Sequence, residues 1–160
     1  MSTKQGDVGL LREPLAQELL QSKGPAHLAY NWRDGTPRVV PIGFHRNGEE
    51  LVMATATDAP KTKVLTNGSK VAVSIVPDFA ASKILLIRGT VRADTVEGIA
   101  PEYTVMIHRT MSEEDAEALL KEAARLYPRM TRIFIHPDWV GIIDFETRLP
   151  SAVERAIERD

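Results

Sequence analysis

Two glycine turns set between apolar runs constrain this chain more than any other feature. Asp34-Gly35 and Asn47-Gly48 separate three stretches rich in β-branched and aromatic residues: Ala26 to Trp32, Pro37 to Arg46 and Glu49 to Ala56. Both dipeptides tolerate the positive φ of a type I′ turn, so each predicts a hairpin, and two in succession predict a meander. Lys70 to Val76 then alternates Val71, Val73 and Ile75 with Ala72 and Ser74, the pattern of a half-buried strand. After a loop over Pro77 to Ser82, Lys83 to Ala93 reads as a long strand in which Gly89 marks a bulge or a close backbone approach. Arg132 to His136 and Trp139 to Phe145 read as the last strands, interrupted by Pro137-Asp138.

Helices are few. Pro14 suits a first turn after Glu13; Leu15, Leu19 and Leu20 form one apolar stripe, and Gly24-Pro25 ends the element. Lys61 to Asn67 reads as a short helix closed by Gly68. A longer one is predicted from Glu113 to about Tyr127, with Ser112 as N-cap and Asp115 in place of the capping-box glutamate. Its buried face would be Ala116, Leu119, Leu120 and Ala123. Six or seven strands in hairpins with short flanking helices predict a mainly β, α+β fold, an antiparallel barrel that leaves few open edges. With 160 residues and no repeat or linker, the expectation is one domain over 1–160, residues 1–12 and the charged tail 151–160 being peripheral.

Composition excludes several chemistries. There is no cysteine, hence no disulfide, thiolate zinc site or cysteine nucleophile, which fits a reducing cytoplasm. Met1 to Asp7 is polar and does not read as a signal peptide, and the apolar runs are strand-sized, too short to span a bilayer. The net charge of −2, with signs mixed, argues against a nucleic-acid partner. His27, His45, His108 and His136 lack metal-site spacing and read as structural or surface residues. No serine lies in a Gly-x-Ser-x-Gly elbow, and the glycines form neither a Walker loop nor a dinucleotide fingerprint. Asp144 and Glu146 share a strand face, but ordinary surface placement is expected of them.

One loop does suit an anion. Thr55-Ala56-Thr57 ends a strand, the chain turns at Asp58-Ala59-Pro60, and Lys61 and Lys63 open the short helix. Hydroxyls, ammonium groups and N–H groups at a helix start favour a phosphate. The same residue types also suit a solvated polar turn.

From about Ala26 to Phe145 the order of motifs resembles the pyridoxamine 5′-phosphate oxidase-like family of flavin-binding split barrels. The likeness is carried by Asp34-Gly35 leading into Pro37-Arg38-Val39-Val40-Pro41-Ile42, then by Glu50-Leu51-Val52-Met53-Ala54-Thr55. It continues through Lys61, Val64-Leu65 and Ser69-Lys70-Val71-Ala72-Val73. Thr55 and Lys61 keep the family's six-residue spacing, whereas Ser69 stands where the family carries proline, a difference of turn geometry. His136-Pro137-Asp138-Trp139-Val140-Gly141, followed by Asp144-Phe145-Glu146-Thr147-Arg148, is similar to the closing segment of one subgroup.

The resemblance implies a homodimer holding flavin mononucleotide (FMN) at its interface. Thr55 and Lys61, joined by Arg38 and Lys63 and with Thr57 in the same loop, would bind the phosphate. The backbone of Val39, Val40 and Pro41 would run along the isoalloxazine ring, and Trp139, from either subunit, would cover part of it. No catalytic side chain is implied, because a flavin carries its own hydride and electron chemistry. The implied activity is an oxidoreductase acting on a small molecule. A deazaflavin-cosubstrate reductase stands as an alternative. So does a non-catalytic flavin, haem or tetrapyrrole binder, for which His27, His45 and His108 are the axial candidates. Pyridoxamine 5′-phosphate oxidation itself is not expected, since Arg148 alone does not make that enzyme's C-terminal substrate segment, and a bare protein-interaction barrel is the remaining alternative.

Overall fold

The computed structural model describes residues 4–77 and 82–159. Most of the expected loop from Pro77 to Ser82 lies outside the described residues. Seven strands form one antiparallel sheet: β1 (Ala26–Asn31), β2 (Pro37–Ile42), β3 (His45–Asn47), β4 (Glu50–Ala56), β5 (Lys70–Ile75), β6 (Lys83–Glu97) and β7 (Arg129–Asp144). Their order is β2-β1-β5-β6-β7-β4-β3.

Both glycine turns make hairpins, with different chemistry from that expected. Gly35 N–H donates to Trp32 O at 3.0 Å, and the Asp34 carboxylate accepts from Thr36 N and Oγ1. Gly35, at φ 82°, is therefore the left-handed residue that follows a type I turn, not the second centre of a type I′ turn. In the other hairpin Asn47 pairs with Glu50, so the two-residue loop is Gly48-Glu49, one position later than expected, with Gly48 at φ 64°.

The expected meander is not formed. The run from Pro37 to Arg46 breaks at Gly43-Phe44, and β2 pairs with β1 while β3 pairs with β4. Phe44 is buried, and a Cβ on Gly43 would lie 2.6 Å from Met106 Cε, so the backbone bends inward there. The consequence is architectural. β2 and β3 are the two ends of the sheet, yet two residues join them, so the sheet curls until its edges approach without pairing. That is a split barrel, and its edges remain open rather than disposed of. Pro37 and Pro41 sit on β2, where a missing N–H interrupts no second ladder.

Inward residues of β1, β4, β5, β6 and β7 fill the barrel, among them Leu28, Met53, Ile75, Leu85, Ile87 and Ile135. One end is closed by α1 (Pro14–Leu20) and the 3-10 turn before it. Leu10 and Leu11 belong to this core, so the first twelve residues are not peripheral as a whole. The last two expected strands are one, β7. Pairing with β4 ends at Ile135, so Pro137 faces only β6, opposite Gly89, and no second ladder needs its N–H. Gly89 is the expected close approach: a Cβ there would lie 2.5 Å from His136 O.

Three helices complete the chain: α2 (Pro101–Thr110), α3 (Glu113–Leu126) and α4 (Ser151–Ile157). Ser112 caps α3 by accepting from Asp115 N, and Ala116 and Ala123 are buried, but Leu120 is only partly buried and Leu119 is 37% exposed. The helix α2 was not anticipated. Pro101 at its first turn and the Tyr103, Met106, Ile107 spacing were the signals for it.

Candidate functional site

The loop after β4 is built by local hydrogen bonds. Thr62 Oγ1 donates to the carbonyls of Thr57 (2.9 Å) and Ala59 (2.7 Å), and Ala59 N–H donates to Ala56 O (3.1 Å). Only one 3-10 turn follows, Pro60–Lys63, in place of the helix expected to Asn67. Ser69 explains the stop: its hydroxyl donates to Val64 O and accepts from Thr66 N, groups that a continuing helix would use. A turn this short supplies little dipole, so anion attraction here rests on side chains.

Those side chains converge in part. Lys61 Nζ lies 3.3 Å from Thr55 Oγ1, as the six-residue spacing predicted. Lys61 is half-buried, burial holds its ammonium below the ordinary lysine range, and among the described residues no carboxylate pairs with it. Thr57 Oγ1 is buried without a hydrogen-bond partner. The Thr57 hydroxyl is thus withdrawn from water without a partner, and the half-buried Lys61 ammonium has one long hydrogen bond and no counter-charge, an arrangement that costs stability unless a ligand supplies the acceptor. Lys63 is exposed.

The remaining expected residues lie in other settings. Arg38 sits opposite Tyr30 on β1, its guanidinium 5.4 Å from the centre of the Trp32 ring. Val39 and Pro41 alternate to the opposite face from Arg38 and Val40. Val39 is 65% exposed and shares a cleft of about 290 Å³ with Trp139, Arg88, Ala29 and Ala72. Arg88 stacks on Trp139 at 4.1 Å. The N-terminal segment packs on the same ring: Gly6 N–H donates to Val140 O (2.8 Å), and a Cβ on Gly6 would lie 2.8 Å from the indole nitrogen. Within one chain, then, the structure joins Thr55 to Lys61 and Val39 to Trp139, as two separate groups. Pro41 lines a third place, a cleft beneath α2.

Among the described residues no group of three or more His, Asp or Glu has metal-site geometry. His108 pairs with Glu113 at 3.0 Å, while burial, then the charge of Arg109, lowers the pKa of His45. Asp144 is not at the surface as expected. It is buried and accepts from Thr147 Oγ1 (2.6 Å) and Glu146 N (2.9 Å), closing the turn after β7, and Glu146 stays exposed. No helix among the described residues is long and apolar enough to cross a membrane.

Comparison with known proteins agrees with the fold. A search of curated protein sequences finds no match. Among solved structures, an F420 reductase is 26% identical with a TM-score of 0.59, over 78% of this chain and 94% of its own. HutZ, the haem storage protein of Vibrio cholerae, is 21% identical with a TM-score of 0.57, over 82% and 93%. General stress protein 26 of Bacillus anthracis is 18% identical with a TM-score of 0.57, over 81% and 91%. The last two share the fold. The family model for pyridoxamine 5′-phosphate oxidase matches residues 13–140, which take in every strand of the barrel except the end of β7. The chain belongs to the pyridoxamine 5′-phosphate oxidase family.

Proposed function

We propose that this chain is an FMN-dependent oxidoreductase that works as a homodimer on a small molecule in the cytoplasm. The observation that carries the reading is the half-buried Lys61 ammonium, 3.3 Å from Thr55 Oγ1 and without an acidic partner among the described residues. A phosphate would suit this pair on charge and on hydrogen-bonding capacity, accepting from the ammonium and from the Thr55 hydroxyl, with the orphaned Thr57 Oγ1 a further donor in the same loop. When bound, the flavin supplies hydride and electron transfer. The chain's own part is to bind and orient: Lys61, Thr55 and Thr57 hold the phosphate, with Arg38 and Lys63 adding charge. The backbone of Val39, Val40 and Pro41 would lie along the ring.

The dimer reading is supported by the outer face of β2, β1 and β5. Val39 is 65% exposed there beside Ala29 and Ala72. A deazaflavin cosubstrate is the second reading, favoured by the 26% identity to an F420 reductase.

The test is an ultraviolet–visible spectrum of the purified protein, repeated after addition of FMN and gel filtration. Retained bands near about 370 and 450 nm are expected of bound oxidised flavin. A protein that stays colourless but binds deazaflavin shifts the assignment to the second reading, and a Soret band replaces flavin with haem.

A further inference from the structure

Trp139 reaches the outer face of the barrel because β7 changes face just before it. Ile133 and Ile135 point into the core, and so do Val140 and Ile142. Residues two apart on a strand share a face, so the inward positions are odd before the change and even after it. The change is a one-residue bulge. Gly89 stands opposite Pro137 and Arg88 opposite Trp139, which leaves Asp138 without a partner in the ladder. Its carboxylate is pinned outside, accepting from Thr90 Oγ1 (2.6 Å) and from Lys70 Nζ (3.1 Å). Without the bulge Trp139 would follow Ile133 and Ile135 to the barrel side. With it, the indole walls the outer cleft that it shares with Val39, Ala29 and Ala72.

The ring is then held from three sides. Arg88 stacks on it at 4.1 Å. Gly141, two residues on and on the same face, lets the indole lie across β7: a Cβ there would stand 2.5 Å from Cη2 of the ring. The third side is the N-terminal segment, residues 4–6. Pairing with β4 ends at Ile135, so beyond it that edge of β7 has no strand beside it among the described residues. The segment supplies the missing partner. Gly6 N–H donates to Val140 O (2.8 Å), Ile142 N–H donates to Gln5 Oε1 (2.9 Å), and Gln5 Nε2 donates back to Ile142 O. The Gln5 side-chain amide thus stands in for a peptide unit of a neighbouring strand. These bonds fall on Val140 and Ile142, the residues flanking the glycine under the ring. Gly6, at φ 98°, also brings its backbone against the indole edge, where a Cβ would lie 2.8 Å from Nε1.

We propose that residues 4–6 are a positioning element of the cofactor cleft. Gln5 fixes the segment on β7, Gly6 fixes the edge of the indole, and together they set the angle at which Trp139 faces a bound ring. The role toward the cofactor rests on the flavin reading; the hold on Trp139 does not. An indole already kept in one orientation has no freedom to lose when a flat ring packs on it, which raises affinity without adding a contact.

The test is fluorine NMR of the full-length protein labelled with fluorotryptophan, the Trp139 signal being assigned by its loss in Trp139→Leu. Titrations with FMN and riboflavin follow. Without ligand, Gln5→Ala and Gly6→Ala should each broaden the Trp139 signal and move it toward its position in urea-unfolded protein, while the Trp32 signal stays. Both substitutions should weaken FMN and riboflavin severalfold and by the same factor, since the ring and not the phosphate is affected. In a Trp139→Leu background Gln5→Ala should cost no further affinity, a coupling that a double-mutant cycle isolates. A segment that merely stabilised the fold would still cost affinity there. A Trp139 signal untouched by both substitutions, or losses that add to that of Trp139→Leu, overturn the proposal and leave the flavin reading standing. A signal that moves in a protein binding neither flavin sinks the flavin reading and upholds the hold on Trp139.

Discussion

Adjacent rungs of the β4–β7 ladder carry two cations that the fold treats in opposite ways. Arg132 stands opposite Ala54, and one rung away Thr131 stands opposite Thr55, which Lys61 reaches. Neighbouring residues on a strand face opposite sides, so the two charges serve different surfaces. Arg132 is neutralised within the chain. It donates to both oxygens of Asp94 (2.8 and 2.6 Å) and to Glu102 (3.1 Å), and these contacts, the Asp94 hydrogen bonds foremost, hold its pKa above the ordinary arginine value. Lys61 has one hydroxyl at 3.3 Å and no acid among the described residues, and burial lowers its pKa. The fold therefore pairs one half-buried cation with acids and leaves the other without one among the described residues. A charge left in the other state does not help folding, and the economical account of it is an external anion.

The comparison breaks most visibly at Arg132. Arg132→Met strands Glu102, the least exposed of the three partners, and Asp94, which is 37% exposed. Full burial would put the loss at about 3–5 kcal/mol; with Asp94 reached by water, about 2–3 kcal/mol is expected. Urea denaturation measures it, and FMN affinity of the folded fraction should not change. A midpoint equal to that of the wild type would show that the pair contributes nothing and that the contrast is only geometric.

Lys61→Ala should do the reverse. Losing one charge-assisted phosphate contact should weaken FMN binding by about 1.5–3 kcal/mol and leave riboflavin binding nearly untouched. The urea midpoint should hold or rise, since an uncompensated half-buried charge is removed. Equal losses for both ligands would detach Lys61 from the phosphate. A smaller change comes from Thr55→Val, which keeps the shape and removes the hydroxyl: a neutral hydrogen bond is worth about 0.5–1.5 kcal/mol. Fluorescence titration with FMN reads it, and Thr55→Ser should restore most of the affinity.

How much of this was legible in the sequence depends on how local each feature is. The hairpins were, because Gly35 and Gly48 act within four residues, and so was β5, because alternation of Val71, Val73 and Ile75 needs no partner to be seen. The meander was misread because the break at Gly43-Phe44 is decided by Met106, which packs against it from a helix that had not been recognised. Pro137 looked like the end of a strand. It is tolerated because β4 stops pairing at Ile135, a fact of register rather than of composition. At the candidate site, Thr55 and Lys61 were readable because a strand end and a tight turn fix their separation. The stack of Arg88 on Trp139 was not, since spacing along the chain says nothing about which residues meet across strands.

The finest test of the comparison is its pH dependence, because the two sites should respond at opposite ends of the scale. Hydrogen bonds from Arg132 hold the Asp94 carboxyl below its ordinary 3.8. A carboxyl whose folded pKa is depressed contributes its full stabilisation above the ordinary value and loses it as pH falls through the folded one. The advantage of wild type over Arg132→Met should therefore shrink below pH 3.8. Lys61 runs the other way, with burial holding its ammonium below the ordinary 10.5. The folded state then gives up that proton before the unfolded state does, so the destabilisation is full below the folded pKa and fades as pH climbs toward 10.5. Without ligand, wild type should gain stability relative to Lys61→Ala over that alkaline window. With FMN present the sign should invert, because losing the proton removes the phosphate's partner and releases the ligand. Melting temperatures of wild type and both variants across pH, with and without FMN, decide it. An alkaline difference that stays flat in both series would mean that Lys61 is in effect solvated, and the contrast with Arg132 would then be one of packing rather than of charge.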